Sequence, residues 1–354
     1  MIHRFLRLLL IAGCALAADY PHQILTQGLG YFPVAIRLNN SDVLAVIRGG
    51  AAHIGVKGRL DLIRSSDGGK TWQAPWTVVD GNLDDRNPAI GQLKDGTIIL
   101  GYVIAGGYDE TGLKFKGARK DWVFDGVYLV FSKDNGKSWS KPVRDPTIYR
   151  FYAGKGQVSP YGKIVQLADG TVLMAVYFEF VDDRGNESYL FRSKDGGKTW
   201  GDPVRLGAHY NETGIVALRD GRILAGMRSE KGAALAITES SDQGRTWSSP
   251  VQVTADGEHP ADLIQLRDGR VLMVFGERNP PRGVHAMISA DGRAWDKSKQ
   301  IILADDAPLT DCGYPSSVEI SQDKIVTVYY QVQDTNNAPA SASSRAVLWS
   351  VPKK

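Results

Sequence analysis

Phenol, carboxylate, guanidinium and imidazole side chains recur just before or just after apolar segments of this chain. These side-chain types transfer protons, attack electrophilic carbon and bind anions. The positions before apolar segments are Tyr31, Arg86-Asn87, Tyr161, Asn211-Glu212, Glu258-His259 and Tyr314. The positions after such segments are residues 48–53, 106–126, 179–187, 228 and 278–282. Which of them can act together depends on the fold that positions them.

An internal repeat indicates that fold. The octapeptide Ser65-Ser66-Asp67-Gly68-Gly69-Lys70-Thr71-Trp72 recurs at 132–139, 193–200 and 240–247, with a shorter copy at 289–295. In each copy, which we call an Asp turn, we expect Asp to bind backbone amides two residues on and Gly to supply a positive φ. Trp is expected to pack between layers. We therefore assign the Asp turns a structural role and not a catalytic one.

A second repeated element precedes each Asp turn. It is an apolar run interrupted by Asp-Gly, as in Leu93-Lys94-Asp95-Gly96-Thr97-Ile98. It recurs at 167–172, 218–223 and 266–271, with looser copies at 38–43 and 320–325. Asp-Gly between alternating apolar residues favours a hairpin turn in which both turn residues have positive φ. The sequence therefore predicts six hairpins.

Each repeat unit reads as four antiparallel strands, which is the content of a propeller blade. The period of about 47 to 67 residues runs along the whole chain and predicts one domain over 19–354. The last unit ends before its fourth strand, so we expect the segment 22–27 to complete it and to close the ring. The predicted fold class is an all-β, six-bladed β-propeller of four-stranded antiparallel blades. Both kinds of turn share one face, which leaves the candidate side chains on the other.

The amino-terminal sequence predicts export. Residues 1–7 are basic, residues 8–16 form an apolar run too short to span a bilayer, and Ala15-Leu16-Ala17 is a small-residue cleavage site. Residues 1–18 therefore have the pattern of a secretory signal peptide. Ile11-Ala12-Gly13-Cys14 also resembles a lipoprotein box, with Cys14 as the lipid anchor. The expected location is periplasmic, secreted or lipid-anchored at the cell surface.

Charge and cysteine content exclude several function classes. Without Arg4 and Arg7 the formal net charge would be +1 instead of +3, and basic residues are dispersed among acidic ones. Nucleic acid is therefore not an expected partner. The histidines lack metal-ligand spacing, and only Cys312 would remain after cleavage of the signal. We expect no metal, no internal disulfide and no transmembrane span.

Three segments resemble blocks of the sialidase (neuraminidase) superfamily, whose members are six-bladed propellers with the same Asp turns. Asn211-Glu212-Thr213, followed by Met227-Arg228-Ser229, resembles the block with the catalytic Glu and a substrate-carboxylate Arg. Asn279-Pro280-Pro281-Arg282 is similar to the block with another such Arg. Cys312-Gly313-Tyr314-Pro315 resembles the block around the nucleophilic Tyr. The resemblance extends over essentially the whole mature chain.

This resemblance implies an exo-acting glycoside hydrolase that releases terminal sialic acid or a related acidic sugar without a cofactor. A carboxylate at the anomeric carbon repels an anionic nucleophile, so a neutral Tyr314 hydroxyl activated by Glu212 suits such a sugar. Arg228 and Arg282 would bind the substrate carboxylate through bidentate hydrogen bonds.

Two departures from the family pattern modify this expectation. The family opens its first blade with Phe-Arg-Ile-Pro, whereas this chain has Gly30-Tyr31-Phe32-Pro33, so Tyr31 replaces one carboxylate-binding Arg. The family's acid/base Asp lies in the first-blade connection, which here is 48–59 and has no carboxylate. His53 is the acid/base candidate of neutral range in that connection. We hypothesise that His53 replaces the Asp and that Arg86 or Arg48 supplies the missing cation.

Other functions stay open at this point. The substrate could be a different uronate-like or rare sugar, cleavage could be an elimination with His and Tyr as base and acid, or the propeller could bind glycans without catalysis. The 106–126 insertion is long enough to overhang the site and to set specificity, with its aromatic residues Tyr108, Phe115, Trp122 and Phe124. Residues 149–152 and Tyr161 are candidates for a sugar-stacking platform or for packing between blades. The Gly-rich stretch 50–58 is interpreted as a mobile rim.

Overall fold

The fold is formed almost entirely by β-strands, as a computed structural model shows. The structure describes residues 20–28, 30–118, 121–152, 156–180, 184–333 and 342–353 of the 354. The expected signal peptide at 1–18 and the expected lipid anchor Cys14 lie outside these residues. Across the described residues, no helix is long and apolar enough to cross a membrane.

The first twelve strands are β1 His22–Thr26, β2 Tyr31–Arg37, β3 Val43–Gly49, β4 Arg59–Ser65, β5 Trp76–Val79, β6 Asp84–Gln92, β7 Ile98–Gly106, β8 Val123–Ser132, β9 Val143–Arg144, β10 Gly156–Gln166, β11 Val172–Phe180 and β12 Asn186–Ser193. The other strands are β13 Gly201–Ala208, β14 Tyr210–Ala217, β15 Ile223–Ser229, β16 Leu235–Ser240, β17 Val251–Gln252, β18 Glu258–Gln265, β19 Val271–Glu277, β20 Arg282–Ser289, β21 Ile301–Ala307, β22 Cys312–Ser321, β23 Lys324–Val332 and β24 Ala342–Ser350. Helix α1, Pro146–Tyr152, precedes β10.

The strands form four-stranded antiparallel sheets in a propeller arrangement, as the sequence predicts. The inner strands β2, β6, β10, β14, β18 and β22 each contact the next, and β22 contacts β2, so the ring is closed. Strand β1 pairs with β24 at the outer edge of the last sheet, which confirms the expected closure by the amino-terminal segment.

The sheets do not separate into six, which differs from the prediction. Four sheets have four strands each, whereas β6–β9 and β10–β13 form one sheet of eight strands. The two halves join where β10 pairs in parallel with β6, Gly162 with Ala89 and Lys163 with Ile90. Gly91 permits this approach, because a Cβ there would lie 2.0 Å from the carbonyl oxygen of Ile164.

The Asp-Gly hairpin turns differ from the expected type. Only the glycine has a positive φ, for example 88° at Gly96, and the prediction that Asp95 shares this conformation is wrong. The Gly96 amide donates to the Leu93 carbonyl at 2.9 Å, and the Thr97 amide donates to Asp95 Oδ1 at 2.9 Å. One left-handed residue, Gly96, is enough for this turn, because the side chain of Asp95 accepts the hydrogen bond from Thr97 that completes it.

The Asp turns have the structural role that the sequence predicts, with a different bonding pattern. Asp67 Oδ1 accepts from the amides of Lys70 (3.0 Å) and Thr71 (2.9 Å), three and four residues on instead of two. Its Oδ2 accepts from the Thr71 hydroxyl at 2.6 Å. These hydrogen bonds, the Thr71 hydroxyl first, hold the pKa of the Asp67 carboxyl well below its usual value.

Glutamine side chains each connect one run of four consecutive strands to the preceding run, on the face that carries the Asp-Gly turns. The residues are Gln92, Gln166 and Gln265, each the last of an inner strand. Each side-chain oxygen accepts from a turn amide of the preceding run: Asn39 at 2.7 Å, Lys94 at 2.8 Å and Arg219 at 2.9 Å. These contacts fix one face of the ring and leave the other for the site.

Candidate active site

A bulge near the start of an inner strand directs candidate side chains into the centre of the ring. In β2, β6, β14, β18 and β22, two residues of the inner strand oppose one of its partner. The inserted positions are Phe32-Pro33, Asn87-Pro88, Asn211-Glu212, His259-Pro260 and Tyr314-Pro315. Phe32, Asn87 and Tyr314 have positive φ values of 51°, 51° and 48°. A bulge changes the direction of its side chains, and strained backbone of this kind is concentrated at functional sites.

Apart from His259, Pro260 and Pro315, these side chains line a cavity of about 540 Å³ on the face opposite the Asp turns. Of the predicted site residues, the cavity brings together Tyr314, Glu212, His53, Arg228 and Arg86. Its other polar lining residues are Asn87, Gln157, Ser159, Tyr161, Tyr177, Glu179, Asn186, Asn211, Ser229 and Glu230. Arg48 and Arg282 are absent from the described lining.

Tyr314, Glu212 and Arg228 form one hydrogen-bonded series in this lining. The Tyr314 hydroxyl donates to Glu212 Oε1, and Arg228 Nη1 donates to Glu212 Oε2 at 2.7 Å. Burial, and then the Glu212 charge, raise the pKa of Tyr314 well above its usual value, so the phenol is neutral at neutral pH. Burial acts to lower the pKa of Arg228, but Glu212 outweighs it and the guanidinium stays charged.

His53 lines the cavity as part of a second polar pair. Its Nδ1 is 3.0 Å from Asp311 Oδ2, and the Tyr330 hydroxyl donates to Asp311 Oδ1 at 2.5 Å. The Phe32 ring separates the two pairs, with its centroid 5.0 Å from both His53 and Tyr314. Of this second pair, His53 lines the cavity together with Tyr314 and Glu212.

Arg48 does not have the predicted role in substrate binding. Its side chain is fully buried, and Nε and Nη2 donate to Asp84 Oδ1 at 2.9 and 2.6 Å. Its Nη atoms also donate to the carbonyls of Ala51, Ala52 and Gly55. A guanidinium with these partners is a structural centre for the loop that carries His53, which explains why it is not available to a substrate.

The stretch 50–58, interpreted from the sequence as a mobile rim, makes several hydrogen bonds with its surroundings. Besides Arg48, the Val56 amide donates to the Gly112 carbonyl at 2.8 Å, and the Gly55 amide donates to the Tyr108 hydroxyl at 3.3 Å. The Asp85 amide donates to the Gly58 carbonyl at 3.0 Å. The loop is thus attached to both its own sheet and the 106–126 insertion.

Arg86 reaches the cavity from β6. Its Nη1 is 3.1 Å from Asp84 Oδ2, and the Tyr108 hydroxyl donates to the same oxygen at 2.6 Å. Burial acts to lower the pKa of Arg86, but the Asp84 charge outweighs it and raises that pKa. Asp84 therefore compensates the charges of both Arg48 and Arg86.

The predicted carboxylate ligand Arg282 lies outside the described lining, whereas Arg278 of the same segment contacts Tyr314. The guanidinium carbon of Arg278 is 5.6 Å from the ring centroid of Tyr314, and Nη1 donates to the Thr310 carbonyl. Tyr31 is 3% exposed, with its ring against those of His53 and Tyr330, and Phe32 lines the cavity in its place.

The aromatic residues that the sequence suggested for sugar binding differ in whether they line the cavity. Phe115, Trp122 and Phe124 of the insertion line the cavity, and the Phe115 and Trp122 rings stack at 4.1 Å. Tyr161 lines it as well. Phe151 of α1 instead packs on Phe178, Tyr189 and Phe191, so the alternative of packing within the propeller applies there.

Sequence reasoning missed Asp311, and it gave Asn87 only as a candidate position without a role. Asp311 directly precedes the Cys312-Gly313-Tyr314 motif, and that position was the available signal. Asn87 has positive φ directly before Pro88, and an X-Pro pair inside an inner strand marks a bulge. Among the described residues, no group of three or more His, Cys, Asp or Glu side chains could hold a metal ion.

Residues 48–326 match the profile of the BNR repeat-like domain family. The chain belongs to this family. It is 25% identical over 210 residues to a sialidase of Paraclostridium sordellii and 26% identical over 196 residues to a sialidase of Bacteroides fragilis. These alignments cover 55% and 50% of this chain, and 48% and 35% of the relatives, so this BNR repeat-like protein spans at most about half of their length.

Solved structures show the same fold. A protein of unknown function from Dyadobacter fermentans superposes with a TM-score of 0.79 at 25% identity and covers 94% of this chain and 98% of its own. A Streptococcus pneumoniae sialidase superposes with a TM-score of 0.69 at 16% identity, over 94% of this chain and 71% of its own. The BNR repeat-like match and the sialidase relatives together confirm the predicted membership of the sialidase superfamily.

Proposed function

We propose that this protein is a retaining, exo-acting glycoside hydrolase that releases terminal sialic acid or a related acidic sugar from glycans. The observation that carries the proposal is the contact of Tyr314 and Arg228 with the two oxygens of Glu212 in one cavity. A neutral phenol on a carboxylate is an activated nucleophile without the negative charge that an acidic sugar would repel. The relatives named sialidases support the same reaction class.

In the first step Glu212 accepts the phenolic proton as Tyr314 Oη bonds to the anomeric carbon. The bond from that carbon to the leaving oxygen breaks, and protonated His53 gives this oxygen its proton. In the second step neutral His53 accepts a proton from water as the water oxygen bonds to the anomeric carbon. Tyr314 then leaves and regains its proton from Glu212. Two displacements at one carbon give net retention.

The substrate carboxylate is assigned to Arg228 and Arg86, the cations of the described lining. Arg228 Nε is buried without a hydrogen-bond partner in the described structure. An incoming carboxylate would satisfy this donor, and charge-assisted bonds of this kind are the stronger ones.

One observation favours a second candidate, in which the substrate is a different uronate-like sugar. The predicted cations Arg48 and Arg282 are outside the cavity lining, and Arg86 enters from β6 instead of β2. A cation at a different place on the wall fits a carboxylate at a different carbon of the sugar ring. Hydrolysis and elimination of such a sugar are both served by His53 and Tyr314.

The test is release of fluorophore from a 4-methylumbelliferyl α-sialoside and from the matching β-glucuronide by purified 19–354. Tyr314→Phe and Glu212→Gln should each lower kcat/KM by about 10²- to 10⁴-fold on the true substrate. Tyr210→Phe, a partly buried tyrosine on the same strand as Glu212, is the matched control. NMR of the first-formed anomer reports retention.

Each outcome decides between the candidates. Release from the sialoside supports the first, release from the glucuronide alone supports the second, and an unsaturated product indicates elimination. Absence of release from both, with saturable binding to a glycan array, would contradict catalysis and identify a glycan-binding propeller.

We also infer that the eight-stranded sheet counts as two blades of a six-bladed propeller. Each half is a four-stranded antiparallel meander, and the two join through only two residue pairs. Export through residues 1–18, with or without an anchor at Cys14, stays a proposal. The amino-terminal residue and lipid mass of the protein recovered from cells would test it.

A further inference from the structure

The pair formed by His53 and Asp311 is unexplained by the reaction of Tyr314 with Glu212. The two residues are far apart in the sequence, and the contact joins the β3–β4 loop to the β21–β22 connection of the neighbouring sheet. His53 lines the cavity, whereas Asp311 is absent from the described lining. Asp311 is therefore placed to act on His53 and not on a bound sugar.

We propose that Asp311 is a positioning residue that holds His53 as the Nδ1–H tautomer, so that Nε2 transfers the proton to and from the oxygen at the anomeric carbon. This inference rests on the proposed function for its catalytic part. A carboxylate is acceptor-only when ionised, so Nδ1 must be the donor of the 3.0 Å contact. The same arrangement of carboxylate and imidazole fixes tautomer and orientation in Ser-His-Asp sites.

Asp311 is itself held on several sides. Tyr330, fully buried, donates to its second oxygen, and the Val332 amide donates to its backbone carbonyl at 3.1 Å. Burial acts to raise the pKa of Asp311, but hydrogen bonds from His53 and Tyr330 and the charge of Arg278 outweigh it. The carboxylate therefore stays ionised, which is the state that the tautomer assignment requires.

Ring contacts complete the position of His53. Phe32 packs edge-on against the imidazole at 5.0 Å, and Tyr31 lies 5.8 Å away on another side. Arg48 holds the carbonyls on both sides of His53 in the sequence. The imidazole, whose side chain is 43% exposed, is thus contacted by a carboxylate and two rings.

The functional test uses leaving groups of different acidity. A general acid matters most when the departing oxygen is a poor leaving group, such as a sugar hydroxyl, and least for an acidic phenol. Asp311→Asn should therefore lower kcat/KM by about 10²-fold or more for a sialyl or uronyl disaccharide, and by less than about tenfold for the 4-methylumbelliferyl glycoside. Asp305→Asn, at an exposed carboxylate of β21, should change neither.

A double-mutant cycle separates positioning from a general effect on folding. His53→Gln should show the same leaving-group pattern as Asp311→Asn. The double variant should be no slower than His53→Gln, since Asp311 acts only through the imidazole. Additive losses, or equal losses on both leaving groups, would overturn the proposal, and Asp311→Glu should restore part of the disaccharide activity.

A measurement without substrate keeps this inference distinct from the proposed function. Nitrogen-15 NMR of the His53 imidazole at a pH where it is neutral should show a proton on Nδ1 in the wild type. Asp311→Asn should shift the imidazole toward the Nε2–H tautomer. A wild-type Nε2–H tautomer would refute the positioning role, whereas an inactive enzyme with an Nδ1–H imidazole would contradict only the proposed reaction.

Discussion

Replacement of Arg48 tests whether this buried guanidinium is structural or binds substrate. We consider Arg48→Met, which keeps most of the side-chain volume and removes all donors, and Arg48→Lys, which keeps the charge. Arg48 has two bonds to Asp84 Oδ1 and further bonds to three carbonyls of the His53 loop. Lysine cannot reproduce this planar set of donors.

The size of the effect follows from what each change leaves unpaired. Loss of one partner of a buried ion pair typically costs about 3–5 kcal/mol. In Arg48→Met the Asp84 charge keeps Arg86 at 3.1 Å and the Tyr108 hydroxyl at 2.6 Å. We therefore expect the lower end, about 3 kcal/mol, in the free energy of unfolding. Arg48→Lys should lose about 1–2 kcal/mol, since it retains the charge and loses hydrogen bonds.

The assay is equilibrium unfolding in urea followed by tryptophan fluorescence, with kcat/KM measured below the unfolding range. We expect Arg48→Met to lower both the unfolding free energy and kcat, because the loop that carries His53 loses its hydrogen bonds with the guanidinium. Arg37→Met, at an exposed arginine of β2, is the control and should change neither. An Arg48→Met variant with wild-type stability and only a raised KM would refute the structural role and restore the predicted substrate contact.

Three further perturbations test the fold and its charges. The pKa of Asp67 is lower in the folded chain than in the unfolded chain, so the stability that this carboxylate contributes is lost as the pH falls below about 4. Asp67→Asn should therefore flatten the fall of Tm between about pH 4 and pH 2, and an unchanged slope would contradict this. Gln166→Leu should cost about 1–2 kcal/mol in urea unfolding, because it removes bonds with the Lys94 amide and the Gly170 carbonyl, and a cost below about 0.3 kcal/mol would oppose a connecting role. Burial, with the charges of Arg228 and Arg278, lowers the pKa of His259 to about 2. The unfolded chain then binds a proton below about pH 6.5 that the folded chain does not, so His259→Leu should remove about 1.4 kcal/mol per pH unit of the stability loss below that pH.

The repeats predicted the fold well because they report local chemistry. An Asp turn forms from its own hydrogen bonds, and a hairpin glycine is needed wherever one residue must be left-handed. The merging of β6–β9 and β10–β13 into one sheet of eight strands was not predictable from these signals. It depends on how closely β6 and β10 approach at Gly91 and Ile164, which are far apart in the sequence.

The site was predictable where a motif and a bulge coincide, as at Tyr314 and Glu212. Among the cations, Arg228 follows its motif into the cavity, but the other three were not predictable, because sequence places Arg48, Arg86 and Arg282 equally near the site. Their roles depend on which carboxylate each one meets. Asp84 lies between Arg48 and Arg86. Arg48 is fully buried against it, whereas Arg86 contacts it and also faces the cavity.

The bulges also explain why transfer of a motif residue by residue fails in the first sheet. Tyr31 takes the position of a family arginine, but the inserted residue after it turns Phe32 into the cavity and leaves Tyr31 buried. Tyr314 is the residue in the equivalent inserted position of β22 and therefore faces the cavity. A sequence motif names the residue types, whereas the extra residue in the ladder decides which of them faces the cavity.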